Sequence, residues 1–233
     1  MYRAGIIGLG FAGMESEDSH FKAYSECVDT EIYGLCDIDV LKVDKVVSLL
    51  PHDPVKSFLW TNPLAMVKQL KPNIVSICTP VETHCQIVCD IAPYVKAINC
   101  EKPIATTLDE ADIMIQVCQS YNVILQVNHQ RRFAKPVMRW SRGLVNNGTH
   151  AVDLIRQLGA EGKVDLEYVD TDDYIFELDI FSDPRPARLT LKGVEHLVEC
   201  LKKGKQSISS GKEARETLRQ VLEYERNKSN PRK

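Results

Sequence analysis

Short apolar runs alternate with longer amphipathic stretches through the first half of the chain. The apolar runs cover residues 3–7, 31–36, 73–78, 95–100 and 123–127. Each has the length and composition of a buried strand. Between them, residues 21–28, 40–50, 64–70, 82–94 and 108–121 place apolar side chains at helical spacing. Strands that alternate with helices predict βαβ units, because parallel neighbours need a crossover connection. Right-handed crossovers then wind such units into a parallel sheet with helices on both faces.

The pattern changes after about Gln126. Residues 128–132 (NHQRR) are polar and basic, and 151–158 read as a helix. Residues 166–169 and 174–180 read as strands, the second alternating, and 189–191 as a further short strand. Pro184 and Pro186 suit a turn or a sheet edge. Residues 194–203 and 212–226 read as two helices split by a Gly/Ser turn, and 227–233 as a frayed polar tail. The expected class is α/β: a Rossmann doubly wound parallel sheet over residues 1–126, then a smaller α+β domain over 127–233 with a mainly antiparallel sheet.

Composition narrows the function. The chain has 233 residues, 44% apolar and 26% charged, with a formal net charge of -3. That balance is ordinary for a globular protein and gives no basic surplus for nucleic acid. No apolar run has the length of a membrane span, and Met1 leads directly into an apolar strand without signal-peptide organisation, so the expected compartment is the cytoplasm. Eight cysteines lie mostly inside apolar runs. No CxxC pair occurs and no His completes a zinc pattern, so structural thiols are expected, with no metal site.

Gly8, Gly10 and Gly13 form GLGFAG directly after the first strand. In that place G-x-G-x-x-G gives a tight turn, close backbone approach to a pyrophosphate and close helix packing. Phe11 and Ala12, inside the same loop, are counted with the cofactor residues. Asp37 ends the second strand, where a carboxylate accepts from both adenosine ribose hydroxyls and repels a 2′-phosphate. NAD is therefore expected ahead of NADP; a helix-capping role is the alternative for Asp37 or Asp39. Lys42 is the nearest cation in sequence. The acidic segment Met14 to Ser19 fits poorly beside a pyrophosphate, so a loop is expected to carry it outward before a helix begins near His20.

Two further residues bear on chemistry. Lys102 follows the fourth strand in Glu101-Lys102-Pro103, at the strand end where open α/β sheets bind ligands. There an ammonium group can stabilise a developing oxyanion; taken alone, a surface lysine before a proline turn is the better reading. His150 stands in the first turn of a helix with Asp153 three residues on, on the same face. An imidazole there can take a proton as hydride leaves a carbinol carbon; taken alone, a capping or packing histidine is the better reading.

Together these segments resemble the glucose-fructose oxidoreductase / inositol dehydrogenase (Gfo/Idh/MocA) family. AGIIGLGFAG resembles its first strand and glycine loop, CDID its ribose turn, SICTPVETH its third-strand loop, and CEKPIATTLDEA its Glu-Lys-Pro signature. VNHQRRF and GTHAVDLIRQLG are similar to its crossover and catalytic helix. The resemblance implies NAD(P)-dependent hydride transfer between nicotinamide and a hydroxyl/ketone of a sugar, cyclitol or related small molecule. It implies Lys102 polarising the reacting oxygen, with His150 as general acid/base. It further implies Thr79, Pro80, His84, Glu101 and Asn128 lining the cofactor cleft, and Arg131 or Arg132 contacting substrate or bracing the domain junction. Asn146, His150 and Asp153 would face substrate, and the C-terminal sheet would join copies of the chain. Two departures stand out. Asn146 occupies the place of a family aspartate four residues before the histidine, and only residues 134–145 separate the RRF and GTH segments. These favour an alternative: a catalytically inert dinucleotide-binding protein that recognises a partner. A Rossmann protein for another nucleotide-like ligand, such as S-adenosylmethionine, is a third reading.

Overall fold

A computed structural model describes residues 1–47, 59–133, 138–139, 153, 177–178 and 188–229. Six parallel strands form one sheet: β1 (Tyr2–Ile7), β2 (Thr30–Cys36), β3 (Leu59–Trp60), β4 (Ile74–Ile77), β5 (Ala97–Cys100) and β6 (Ile124–Val127). Their spatial order is β3-β2-β1-β4-β5-β6. The chain moves outward from β1 to one edge, then returns beside β1 and builds toward the other. The switch point between β1 and β4 is where such sheets open a crevice. The helices of this half are α1 (His20–Glu26), α2 (Val40–Val47), α3 (Pro63–Leu70), α4 (His84–Ile91) and α5 (Leu108–Ser120). Asn62 caps α3 through Ala65 N–H, and Thr107 with Glu110 forms a capping box on α5.

The two sheet faces bury different sets. Ile7, Val75, Ile77, Ile98, Leu125 and Val127 pack with Val88, Ile91, Met114 and Cys118 of α4 and α5. Ala4, Ile6, Leu35, Ile74, Ala97 and Ile124 pack on the opposite side with Ala23 and Tyr24 of α1. That second core also holds Val194, Leu197 and Val198, which belong to α6 (Leu189–Lys203). Ala214 and Leu218 of α7 (Gly211–Ser229) join the first core. The closing helices thus complete the cover of the parallel sheet. Between them Val127 N–H donates to Ser209 O at 2.8 Å and the Ser209 hydroxyl to Val127 O at 2.6 Å, so residues 207–210 run beside the open edge of β6. Arg215 of α7 grips Asp112 of α5 with two hydrogen bonds, at 2.6 and 2.8 Å. Residues 189–229 therefore pack against the first sheet.

Several expectations change in detail. Residues 189–191, read as a strand, open α6. Their alternation is too short to outweigh the helical spacing of Val194, Leu197, Val198 and Leu201, and the Asp18 carboxylate accepts from Thr190 N–H at 3.1 Å at that helix start. Asp18 is thereby drawn to α6, as the acidic segment leaves the glycine loop through a π-helical turn, Phe11–Glu15. The stretch 82–94 is a helix flanked by 3-10 turns at Val81–Thr83 and Ala92–Tyr94. The two-residue strand β3 was not foreseen. In the second half, β7 (Met138–Arg139) and β8 (Glu177–Leu178) pair antiparallel, the second inside the expected strand 174–180. The expected strand 166–169 lies outside the described residues, as do the tail 230–233 and most of helix 151–158.

One band of the second core is polar. Ser76 pairs with Asn99 in register, and Asn99 with Gln126. All three are fully buried. Gln126 donates to Asn99 Oδ1 at 3.3 Å and to Gly193 O at 3.1 Å, and accepts from the Ser207 hydroxyl at 2.7 Å. Buried polar groups that lose a partner cost more than the bond itself contributes. Gln126→Ala is therefore expected to lower stability by about 2–4 kcal/mol in urea unfolding. An unchanged midpoint would mean that this link between β6 and α6 carries no stability.

Candidate functional site

The sheet's hydrogen bonding continues one residue past the strands. Gly8 N–H donates to Cys36 O, Cys78 N–H to Ile7 O, Glu101 N–H to Ile77 O and Asn128 N–H to Cys100 O, all between 2.7 and 2.9 Å. Asp37 N–H reaches Trp60 O at 3.1 Å. Asp37, Gly8, Cys78, Glu101 and Asn128 consequently stand in a row along the carboxyl edge of the sheet. Sequence positions up to 120 apart meet there because each follows a strand end.

The three loop glycines answer to different constraints. Gly8 has φ +92°, and a Cβ on it would lie 2.6 Å from the Cys78 carbonyl carbon. A Cβ on Gly13 would lie 1.9 Å from Gly8 O. Both are required by the chain's own backbone. A Cβ on Gly10 would meet nothing nearer than Lys42 Nζ at 4.0 Å. Its missing side chain is thus left for a ligand to explain, as in a turn that lets a pyrophosphate approach. Phe11 beside it is 74% exposed, and Ala12 is half-buried.

Asp37 is nearly buried, and its carboxylate ties two loops together. Oδ2 accepts from Leu9 N–H at 2.8 Å and Oδ1 from Asp39 N–H at 3.0 Å, with Lys42 Nζ 3.7 Å from Oδ2. The capping reading and the ribose reading are compatible here, since each carboxylate oxygen accepts more than one hydrogen.

Glu101 sits in the densest polar cluster. Its Oε1 receives Asn128 Nδ2 at 2.6 Å and His20 Nε2 at 2.9 Å, and its Oε2 receives Lys102 N–H at 3.3 Å. A carboxylate only accepts, so His20 Nε2 carries a hydrogen. The other ring nitrogen, Nδ1, lies 2.7 Å from the Ser76 hydroxyl, which lies 2.8 Å from the Tyr24 hydroxyl. His20, Tyr24, Ser76 and Asn128 are all buried. Burial works to raise the Glu101 pKa, but the hydrogen bond and charge of His20, the Asn128 amide and the Lys102 cation outweigh it and hold the carboxyl down at about 2. Burial pushes the Tyr24 hydroxyl and the Cys78 and Cys100 thiols up, so all three stay neutral.

Among the described residues, Asn128 Oδ1 is a buried acceptor with no donor. With the open space at Gly10, it is the second feature of this edge that a dinucleotide would satisfy, and the residues present fit such a group.

The remaining expected residues fall into three groups. Thr79 is half-buried and Pro80 exposed, and Thr83 donates to Pro80 O at 2.7 Å. His84 is buried; its ring nitrogens lie 2.9 Å from Thr79 O and 3.1 Å from Pro103 O, so it joins the Thr-Pro loop to the Glu-Lys-Pro turn. Lys102 is half-buried, and the bond to Pro103 is cis. Asp153 is also buried: its carboxylate takes the Thr217 hydroxyl of α7 at 3.0 Å and lies 3.4 Å from His129 Nδ1. It faces these groups, away from solvent. His150 and Asn146 lie outside the described residues. Arg131 and Arg132 stand in a 3-10 turn, Gln130–Phe133, with their side chains outside the description.

Sequence reading passed over His20, Tyr24, Ser76, Asn99 and His129. A signal existed. Three successive strands carry one polar residue each in an otherwise apolar run (IVSI, AINC, ILQV), and those residues fall in one register.

The family model described as "Oxidoreductase family, NAD-binding Rossmann fold", GFO_IDH_MocA, matches residues 2–129. D-glucoside 3-dehydrogenase of Escherichia coli is 27% identical over 146 residues, 63% of this chain and 39% of that protein. Myo-inositol 2-dehydrogenase of Thermotoga maritima is 26% identical over 147 residues, 63% of this chain and 41% of that protein. The chain thus spans about two fifths of the length of these relatives. Among solved structures, an oxidoreductase from Agrobacterium radiobacter in complex with NAD+, L-tartaric acid and magnesium superposes with a TM-score of 0.77 at 16% identity. That match covers 99% of this chain and 97% of the other, and shows a shared fold.

The depressed Glu101 pKa has a thermodynamic consequence. A group whose folded pKa lies below its unfolded value stabilises the fold above the unfolded pKa, and this contribution disappears as pH falls toward the folded one. For Glu101 the window runs from 4.5 down to about 2. Glu101→Gln should flatten the decline of stability with pH across that window, by on the order of 3 kcal/mol in urea unfolding at a series of pH values. Parallel curves for the two proteins would show that Glu101 is not held ionised by its partners.

Proposed function

The chain belongs to the Gfo/Idh/MocA oxidoreductase family, with its NAD-binding Rossmann fold, and on that footing we propose that it transfers a hydride between a nicotinamide cofactor and a hydroxyl/ketone pair of a small polyol or sugar. The observation that carries this reading is Lys102 at the carboxyl edge of the sheet, next to a half-buried, ionised Glu101 and in the same row as the glycine loop.

When bound, the dinucleotide supplies a ring carbon that accepts or gives hydride. Gly10 leaves room for its pyrophosphate, and Phe11, Ala12 and Gly13 continue that loop. Asp37 accepts from the ribose hydroxyls, and its negative charge favours NAD over NADP. Thr79 and Pro80 border the cleft, His84 holds their loop against the Lys102 turn, and Asn128 Oδ1 offers an acceptor to the carboxamide end. The Lys102 ammonium group donates to the reacting oxygen and stabilises negative charge there as the carbonyl forms or closes. His150 serves as the acid/base that moves the hydroxyl proton, and Arg131 and Asn146 contribute substrate contacts. Asp153 enters indirectly, held by Thr217 and beside His129. The substrate class follows the relatives: one is named for D-glucosides and another for myo-inositol.

Two measurements test this reading. Gly10→Val should weaken NADH binding at least tenfold by fluorescence titration, yet shift the unfolding midpoint little, because the new side chain meets open space. NADH affinity should exceed NADPH affinity in the parent protein. Lys102→Ala should retain NADH binding while losing isotope-labelled hydride exchange across a panel of polyols, glucosides and their ketones. Binding without exchange in the parent protein would favour the inert dinucleotide-binding alternative.

A further inference from the structure

Glu101 is a charged group in a place where an apolar residue would be cheaper, so its retention of charge needs a cause. Taking an unpaired carboxylate out of water is strongly unfavourable unless donors replace the lost hydration. Three donors do so, and they are unequally shared. Oε1 takes the His20 ring and the Asn128 amide, while Oε2 is left to the Lys102 side of the group, 3.3 Å from its backbone N–H. The pair on Oε1 fixes which way the carboxylate plane turns.

His20 is itself held on every side. It is the first residue of α1, whose cap Ser19 is fully buried and accepts from Lys22 N–H. Its Nδ1 is engaged by Ser76 of β4, and Ser76 by Tyr24 one helical turn further along α1. Two residues earlier Asp18 is fastened to the start of α6 through Thr190 N–H. Such a ring has one orientation, and so has the Nε2–H it presents. A histidine needed only to fill volume would not require hydrogen-bond partners on both nitrogens.

Linkage makes the effect on the neighbouring cation reciprocal. The Lys102 charge favours ionised Glu101, so ionised and fixed Glu101 favours charged Lys102 by the same free energy. We propose that His20 is a positioning residue for the hydride-transfer site: its Nε2–H locks the Glu101 carboxylate in place, and that fixed anion favours the charged form of the neighbouring Lys102 ammonium group. The proposal rests on Lys102 being the group that meets the reacting oxygen, as argued under the proposed function.

The test reads Lys102 directly and needs no substrate. Lysines of the whole chain are reductively 13C-methylated, the Lys102 signal is assigned with Lys102→Arg, and its chemical shift is followed against pH by NMR without cofactor. In Glu101→Gln and in His20→Asn, whose shorter amide does not reach Glu101, the Lys102 midpoint should fall by about one pH unit. His20→Gln, whose amide N–H can replace the ring donor, should restore most of that loss. Thermal unfolding confirms that each variant is folded. The imidazole Nε2–H of His20 in the parent protein, observed by 1H–15N NMR, gives a readout independent of any His20 variant; it should be protected from exchange and become labile in Glu101→Gln. A Lys102 midpoint identical in folded parent, Glu101→Gln and His20→Asn proteins overturns the proposal, as does a His20 signal indifferent to Glu101. Coupled titration in a protein that exchanges no hydride would leave the positioning intact and sink the enzymatic reading alone.

Discussion

Five backbone hydrogen bonds that extend the sheet one residue past its strands hold everything else at the candidate site in place. They fix Asp37, Gly8, Cys78, Glu101 and Asn128 as neighbours before any side chain is considered. Parallel strands make this possible because all their carboxyl ends lie on one edge. In an antiparallel sheet the same five positions would be divided between two edges. The side chains then refine a geometry that the backbone has already set: Asp37 draws in Leu9, and Asn128 turns its amide to Glu101.

The polar band beneath that edge shows how a half-buried charge is tolerated. Ser76, Asn99 and Gln126 lie side by side on one face of three adjacent strands, covered by α1 and α6. Each finds partners in a neighbouring element, so the band ties helices to the sheet where apolar contacts alone would be less directional. Glu101 continues this band at its exposed end. Its ionisation depends on His20 and Asn128, which come from elements distant in sequence, so the local sequence around the Glu-Lys-Pro turn does not determine it.

Much of the architecture was legible because it depends on local pattern. Apolar runs of strand length, separated by helices, determine a parallel sheet, and glycines at fixed spacing after β1 locate the dinucleotide turn. Lys102 and Asp37 were singled out by their position after strands, and Asp37 and the neighbour of Lys102, Glu101, do stand along the carboxyl edge. The band was missed because its signal is a register, and register becomes readable only when strands are aligned. Leu189–Leu191 was misread for a related reason: a tripeptide cannot distinguish alternation from the first turn of a helix when its cap, Asp18, lies 172 positions away. The placement of α6 and α7 on the first sheet was likewise invisible, since amphipathic helices reveal that they have a partner without revealing which one.

The bond between Asp18 and Thr190 also bears on how the chain acquires its structure. During synthesis the first 130 residues emerge with one helix-covered face incomplete and with the β6 margin bare, and neither is sealed until residues 189–229 leave the ribosome. A nascent chain of this kind exposes an unpaired sheet margin and an apolar face for the whole interval of elongation. Closure by contacts so remote in sequence is entropically slow. Truncation within α6 would accordingly leave the nucleotide-binding half without its own lid of helices, and prone to self-association in proportion to its concentration.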